Sequence, residues 1–269
     1  MLNHNWLVRL YILAFFILPK RALSKLVGYL VEVRRPKRLA KAALKFFVRL
    51  SGANLSEAEL PLESYPNIGA FFRRRLKLSA RTAENSPLIS PVDGLLRSAG
   101  EIDSNTEFRI KGGTYKISTL LGEKNNYDFK DGFYFNFYLS PKDYHRVHFP
   151  LSGEISNLYK IGGSLFPVNE LFHSSLKDLY VRNERLVCLL NSQHGAAALV
   201  MIAALNVGDI KITADSAKNT IKAFQEFAYF QMGSAVVLLL NHNWRQNFNF
   251  AAHHQRTVKI GETLVELVK

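Results

Sequence analysis

From about residue 85 onward this 269-residue chain is written in short β-rich runs separated by turn residues, and that texture restricts its fold more than any other feature. LLRSAG (95–100), EFRIKGG (107–113), GFYFNFYLS (132–140), RLVCLL (185–190), DIKITA (209–214), GSAVVLLL (233–240) and RTVKIGETL (256–264) are apolar or alternating stretches broken by Gly, Asn and Asp. Such runs suit pleated surfaces buried on one or both faces. AAALVMIAAL (196–205) fits a buried strand or a buried helix equally well. The expected body is a β-rich sandwich or barrel-like core, and the helical periodicity of the residues before it makes the whole chain α+β.

Charge divides the chain in the same place. The formal net charge is +13, which asks for an anionic partner: nucleic acid, a membrane surface or an acidic small molecule. Residues 1–50 carry 11 basic side chains and a single acidic one, Glu32, whereas the remainder holds 24 basic against 21 acidic. The run Trp6 to Leu18 is interrupted by Arg9 and stopped by Pro19, too short to span a bilayer. It also lacks the basic start and small-residue cleavage site of a secretory signal.

After Pro36, the residues Leu39, Ala42, Ala43, Phe46, Phe47 and Leu50 recur at helical spacing, while Lys37, Arg38, Lys41, Lys45 and Arg49 fall largely elsewhere around the helix. Periodicity alone fits a helix packed on the body with a solvated basic face as well as an in-plane interfacial helix. The adjacent Trp/Phe/Leu run favours the second. Nucleic acid ranks last, because the aromatics sit inside aliphatic runs and the near-neutral body offers no basic cleft. Residues 1–55 are thus expected to form a basic, membrane-associating helical arm, and 56–269 a catalytic body. Cys188, the single cysteine, excludes a disulfide-stapled scaffold and suits a reducing cytoplasmic face.

Four segments carry chemistry-bearing residues. SPVDGLL places Asp93 between Pro91 and Gly94, which on its own is most often a turn before a strand. SPKDYHRVHFP holds His145 and His148 three residues apart, without the glutamate or cysteine of a zinc motif; no metal is expected. GGSLFPVN (162–169) pairs two glycines with Phe166 and Asn169, and QMGSAVVLLL opens an apolar strand with Gly233 and Ser234. Each alone reads as an ordinary loop or strand start.

Together, SPVDG, YHRVHFPLSG, GSLFPVN and GSAV, in this order, resemble one family, the pyruvoyl-dependent phosphatidylserine decarboxylases of bacteria and mitochondria. FFRRRLK (71–77), VRNERLVCLL (181–190) and VKIGE (258–262) extend the resemblance over about residues 60–264. It implies that Asp93, His148 and Ser234 form a self-cleavage triad in which the imidazole takes the Ser proton and the carboxylate steadies the imidazolium. Ser234 would attack the Gly233 carbonyl, and elimination and hydrolysis would leave a pyruvoyl group heading residues 234–269. That group would condense with the amine of phosphatidylserine and accept the electrons released with CO₂. His145 is then the acid/base candidate for decarboxylation, and Phe166 and Asn169 are substrate-binding candidates.

The implied partners are phosphatidylserine in the membrane and the chain's own two fragments, with a homodimer left open and no nucleic acid. The implied location is peripheral, on the cytoplasmic side of the cell membrane. Two positions depart from the family pattern: Ala235 follows the nucleophile where a hydroxyl residue is usual, and Ala228 replaces a usual Gly. A serine hydrolase using Asp93, His148 and Ser234 on external substrates, and a non-catalytic membrane adaptor, are the alternatives.

Overall fold

Prolines punctuate the first three helices. In the computed structural model, which describes residues 6–110, 113–205, 210–213, 219–231, 234–250 and 255–267, α1 (Trp6–Ile17) ends ahead of Pro19, and α2 (Lys20–Val31) begins behind it. α3 (Lys37–Ser51) starts behind Pro36 and stops at Gly52, whose φ of 71° is the left-handed cap that glycine adopts without strain. α3 buries a narrow row, Ala40, Leu44 and Val48, of which Leu44 and Val48 pack with Tyr65 and Phe71 while the half-buried Phe47 joins them beside Phe72. The wider apolar stripe points outward: Leu39, Phe46 and Leu50 are 64, 67 and 75% exposed. None of the described helices is long and apolar enough to cross a membrane.

The short α4 (Ile68–Phe72), capped by the Asn67 side chain, leads into the β-rich body. β1 (Gly94–Glu101) is followed by the hairpin β2 (Glu107–Ile110) and β3 (Gly113–Lys116), α5 (Ile117–Leu121), β4 (Phe133–Leu139), β5 (Arg146–His148) and β6 (Gly153–Ile161). Then come α6 (Glu170–Ser175), α7 (Leu179–Arg182), β7 (Arg185–Ser192), β8 (Gly195–Ile202), β9 (Ile210–Ile212) and β10 (Thr220–Ile221). β11 (Glu226–Phe230), β12 (Ser234–Leu240), β13 (Phe248–Asn249), β14 (Arg256–Val258) and β15 (Glu266–Leu267) complete the order. The ambiguous run 196–205 is therefore mostly strand.

The main sheet has eight antiparallel strands in the order β10-β6-β7-β8-β12-β4-β1-β14. A second, three-stranded sheet, β5-β11-β9, carries the histidine segment. The sheets do not close into a barrel and fit a sandwich. β12 lies in the interior of the large sheet and all seven of its residues are buried, which is why its sequence is continuously apolar instead of alternating. Cys188 is buried in β7, and desolvation pushes its thiol up, which leaves it inert.

Candidate active site

Three segments distant in sequence converge. Residues 89–93 run beside the histidine segment, with His148 N donating to Pro91 O at 2.9 Å and Ile89 N to Pro150 O at 2.9 Å. β11 pairs with β5 so that Glu226 stands opposite His148. The head of β12 pairs with the end of β4, Ser234 opposite Leu139, just ahead of the loop that carries His145.

Asp93 is 2% exposed and fully engaged. Oδ1 accepts from Arg81 Nε at 3.0 Å and from Ile260 N at 2.9 Å; Oδ2 pairs with Arg81 Nη2, and Lys259 Nζ stands 3.7 Å away. Arg81 also bonds Glu57 at 2.7 Å, so one buried guanidinium ties two carboxylates together. Gly94 is required next to Asp93 because a Cβ there would strike the Tyr138 carbonyl of β4. The Asp-Gly pair thus serves close strand packing, not merely a turn.

His148 Nδ1 lies 2.7 Å from the Phe224 carbonyl, which only accepts, so Nδ1 carries the proton. Nε2 is left as a lone-pair nitrogen facing the Tyr144 hydroxyl at 3.3 Å. Burial pushes the His148 pKa down; the Phe224 carbonyl and then the charges of Glu226 and Asp93 oppose that shift. With Glu226, Arg81 and Tyr144, His148 lines a cavity of about 500 Å³.

His145 faces elsewhere. It is fully buried, stacks on Phe72 with ring centroids 3.9 Å apart and places Nδ1 2.9 Å from the Asp143 carbonyl. Desolvation pushes its pKa down to about 3, so it is a neutral imidazole. Phe72 and Leu139 also wall a smaller cavity of about 160 Å³ into which Ser234 opens. Ser234 is fully buried, and its Oγ has no hydrogen-bond partner among the described residues.

Of the residues expected at the site, Asp93 and His148 lie on adjacent segments, without a hydrogen bond between them among the described contacts. Ser234 and Asn169 share the smaller cavity. Phe166 is buried behind it, against Phe16 at 5.0 Å and under the Lys20 ammonium at 4.5 Å. Gly233 lies outside the described residues. Asn169 caps α6, accepting from Phe172 N at 3.2 Å.

Sequence reasoning missed several contributors. Asn183, fully buried, stitches the 163–169 loop in place through Phe166 N at 2.9 Å, Phe166 O at 2.8 Å and Ala203 O at 2.9 Å. Gly163 permits this, since a Cβ would run into the backbone at 182–184. Arg97, buried within β1, stacks on Tyr138 at 3.9 Å and donates to Val168 O at 3.0 Å, behind two walls of the Ser234 cavity. Arg97 could have been flagged from sequence as a charge inside an otherwise apolar strand; Asn183 gave no such signal.

Ser234 heads an interior strand and opens to the smaller cavity while His148 lines the larger one, and it is the comparisons that give the class, a decarboxylase. The family model for phosphatidylserine decarboxylase matches residues 68–266. A phosphatidylserine decarboxylase proenzyme of Marinobacter nauticus is 33% identical, covering 96% of this chain and 98% of the relative. One from Coxiella burnetii (strain Dugway 5J108-111) is 37% identical over 92% and 94%, and one from Herminiimonas arsenicoxydans 31% over 97% and 95%. The chain belongs to the phosphatidylserine decarboxylase family.

Proposed function

We propose that this decarboxylase converts phosphatidylserine to phosphatidylethanolamine and CO₂ at a membrane surface, on a pyruvoyl group formed from its own Ser234 by self-cleavage after Gly233. The observation that carries the reading is Ser234 itself: a buried hydroxyl without a partner among the described residues, at the head of an interior strand and open to a small cavity. Buried polar groups are ordinarily bonded, and exceptions call for a reason. Full burial suits attack on the chain's own backbone better than attack on an external ester.

His148 is set up as a base by its neutral, Nε2-acceptor tautomer. Asp93 adds negative potential behind it while anchoring Arg81 and the Ile260 loop. A pyruvoyl group at position 234 would supply an electrophilic carbonyl for the substrate amine and an electron sink for the loss of CO₂. His145, neutral and packed against Phe72 with its Nδ1 proton directed at the Asp143 carbonyl, has Nε2 as a proton acceptor, and on this reading that nitrogen relays the proton of the decarboxylation step. A cavity of about 160 Å³ accommodates a small headgroup and excludes acyl chains, which would stay outside.

The arm supports the membrane part of the reading. Phe15 packs edge-on to Phe172 at 4.9 Å and Phe16 meets Phe166 at 5.0 Å, which seats the end of α1 beside the 167–169 loop that walls the Ser234 cavity. Ile17 there is 83% exposed, and Leu39, Phe46 and Leu50 of α3 are unpacked. Apolar residues set among basic ones are what an anionic lipid surface takes up.

Intact mass spectrometry tests the proposal. The expected result is two fragments split between 233 and 234, with the second bearing a ketone at its start, and a Ser234→Ala chain that stays whole. A wild-type preparation that remains one chain, with no carbonyl-reactive group, overturns it.

A further inference from the structure

We infer that Glu226 is a positioning residue for the self-cleavage step, the carboxylate that stands across the strand pair from His148 and steadies its imidazolium, with Arg146 as the counterweight. The inference rests on the self-cleavage reading above and assigns a role to a residue outside the Asp-His-Ser set.

Glu226 and His148 are directly opposed in the β11–β5 pairing, and both line the larger cavity. Paired positions on neighbouring strands bring side chains within interaction range. Glu226 Oε1 is fixed by Arg146 Nη1 at 2.6 Å, and Arg146 is itself held to the Arg73 carbonyl through Nε at 3.1 Å and Nη2 at 2.8 Å. The carboxylate therefore has a defined position instead of a free side chain's spread of rotamers.

Asp93, by contrast, has both oxygens occupied by Arg81 and Ile260 and a lysine nearby, so much of its charge is already answered. The groups bonded to His148 are the neutral Tyr144 hydroxyl at Nε2 and the Phe224 carbonyl at Nδ1, and Glu59, Arg75, Lys77 and Arg81 are the other charged side chains lining its cavity. Among charged neighbours, Glu226 contributes more than Asp93 toward the protonated form of His148, and Arg146 works against it. When His148 takes the Ser234 proton, a positive charge appears in a buried place, and a carboxylate held opposite favours that charge.

The test is a time course of fragment formation after cell-free synthesis of the full-length chain, run across pH. His148 must be neutral to act as a base, so cleavage has an acid limb at its pKa. Glu226→Gln should slow cleavage about tenfold near neutral pH and move the acid limb about one unit down, the size expected for one opposite charge at close range. Arg146→Gln should move the limb up, and Glu226→Asp should recover most of the rate. A shared folding defect would slow both Gln variants with the limb unmoved, and that result overturns the inference. So does wild-type cleavage in Glu226→Gln. A wild-type chain that never cuts overturns the self-cleavage reading and this role with it.

Discussion

His148 gives its Nδ1 proton to the backbone carbonyl of Phe224, 2.7 Å away, where a Ser-His-Asp site would ordinarily use a carboxylate. A carbonyl fixes the tautomer as firmly as an aspartate but adds only a partial charge. The side-chain carboxylates nearby thus act on His148 through their field. The consequences for individual substitutions differ accordingly.

Ser234→Ala removes a hydroxyl that bonds nothing among the described residues. Deleting an unsatisfied buried group is near neutral or stabilising. The uncut variant should therefore unfold with a denaturant midpoint at or slightly above that of any other uncut form, as read by urea titration followed by fluorescence.

Asp93→Asn should both stop chain cleavage and weaken the fold. It leaves the Arg81 guanidinium buried with Glu57 as its remaining carboxylate, and breaking a buried pair costs about 3 kcal/mol. Urea unfolding in a Ser234→Ala background, where all chains are whole, isolates the stability effect from processing.

Acid should destabilise the protein well above the carboxylate range. His145 has a folded pKa of about 3, below its unfolded value near 6.5, so its neutral form stabilises the fold fully above pH 6.5. That contribution is lost as pH falls from 6.5 toward 3, by about 2 kcal/mol at pH 5. His148, shifted in the same direction, adds to the loss. Stability measured at pH 7 and 5 should show the drop, and His145→Asn should shrink it.

Leu39, Phe46 and Leu50 contribute little to the folded body because they are exposed. Replacing all three with Ser should leave the melting temperature within about 4 °C, since surface changes of this kind fall within about 0.5 kcal/mol each and a kcal/mol shifts a protein of this size by about 2–4 °C. Burying such side chains in lipid is worth about 1.5–3 kcal/mol apiece, so sedimentation with anionic vesicles should fall at least about tenfold.

The sheet was legible because its strands carry the signals that pleated surfaces demand. GFYFNFYLS and GSAVVLLL became β4 and β12 nearly residue for residue. AAALVMIAAL was ambiguous because burial on both faces erases alternation, and only its neighbours β7 and β12 decide it. The residues of the site were legible as types, through short motifs. What the sequence did not carry was who answers whom. Arg81 reaches Asp93 from twelve positions upstream and Ile260 reaches it from across the fold. Phe224 acts through a carbonyl that every residue has. In α3, spacing identified an apolar stripe but not that the partner surface is narrow enough to take Ala40, Leu44, Val48 and part of Phe47 while leaving Leu39, Phe46 and Leu50 outside.

Chain ends are normally the loosest part of a protein. A cut ahead of Ser234 would create an end of the opposite kind. The new terminus would begin a seven-residue strand bonded to β4 on one side and β8 on the other, inside an eight-stranded sheet. The severed piece could leave only by dismantling the sheet, so both halves should travel together through any purification short of denaturation. Maturation would then convert a backbone position into a reactive end group while keeping the rigidity of the strand that made it.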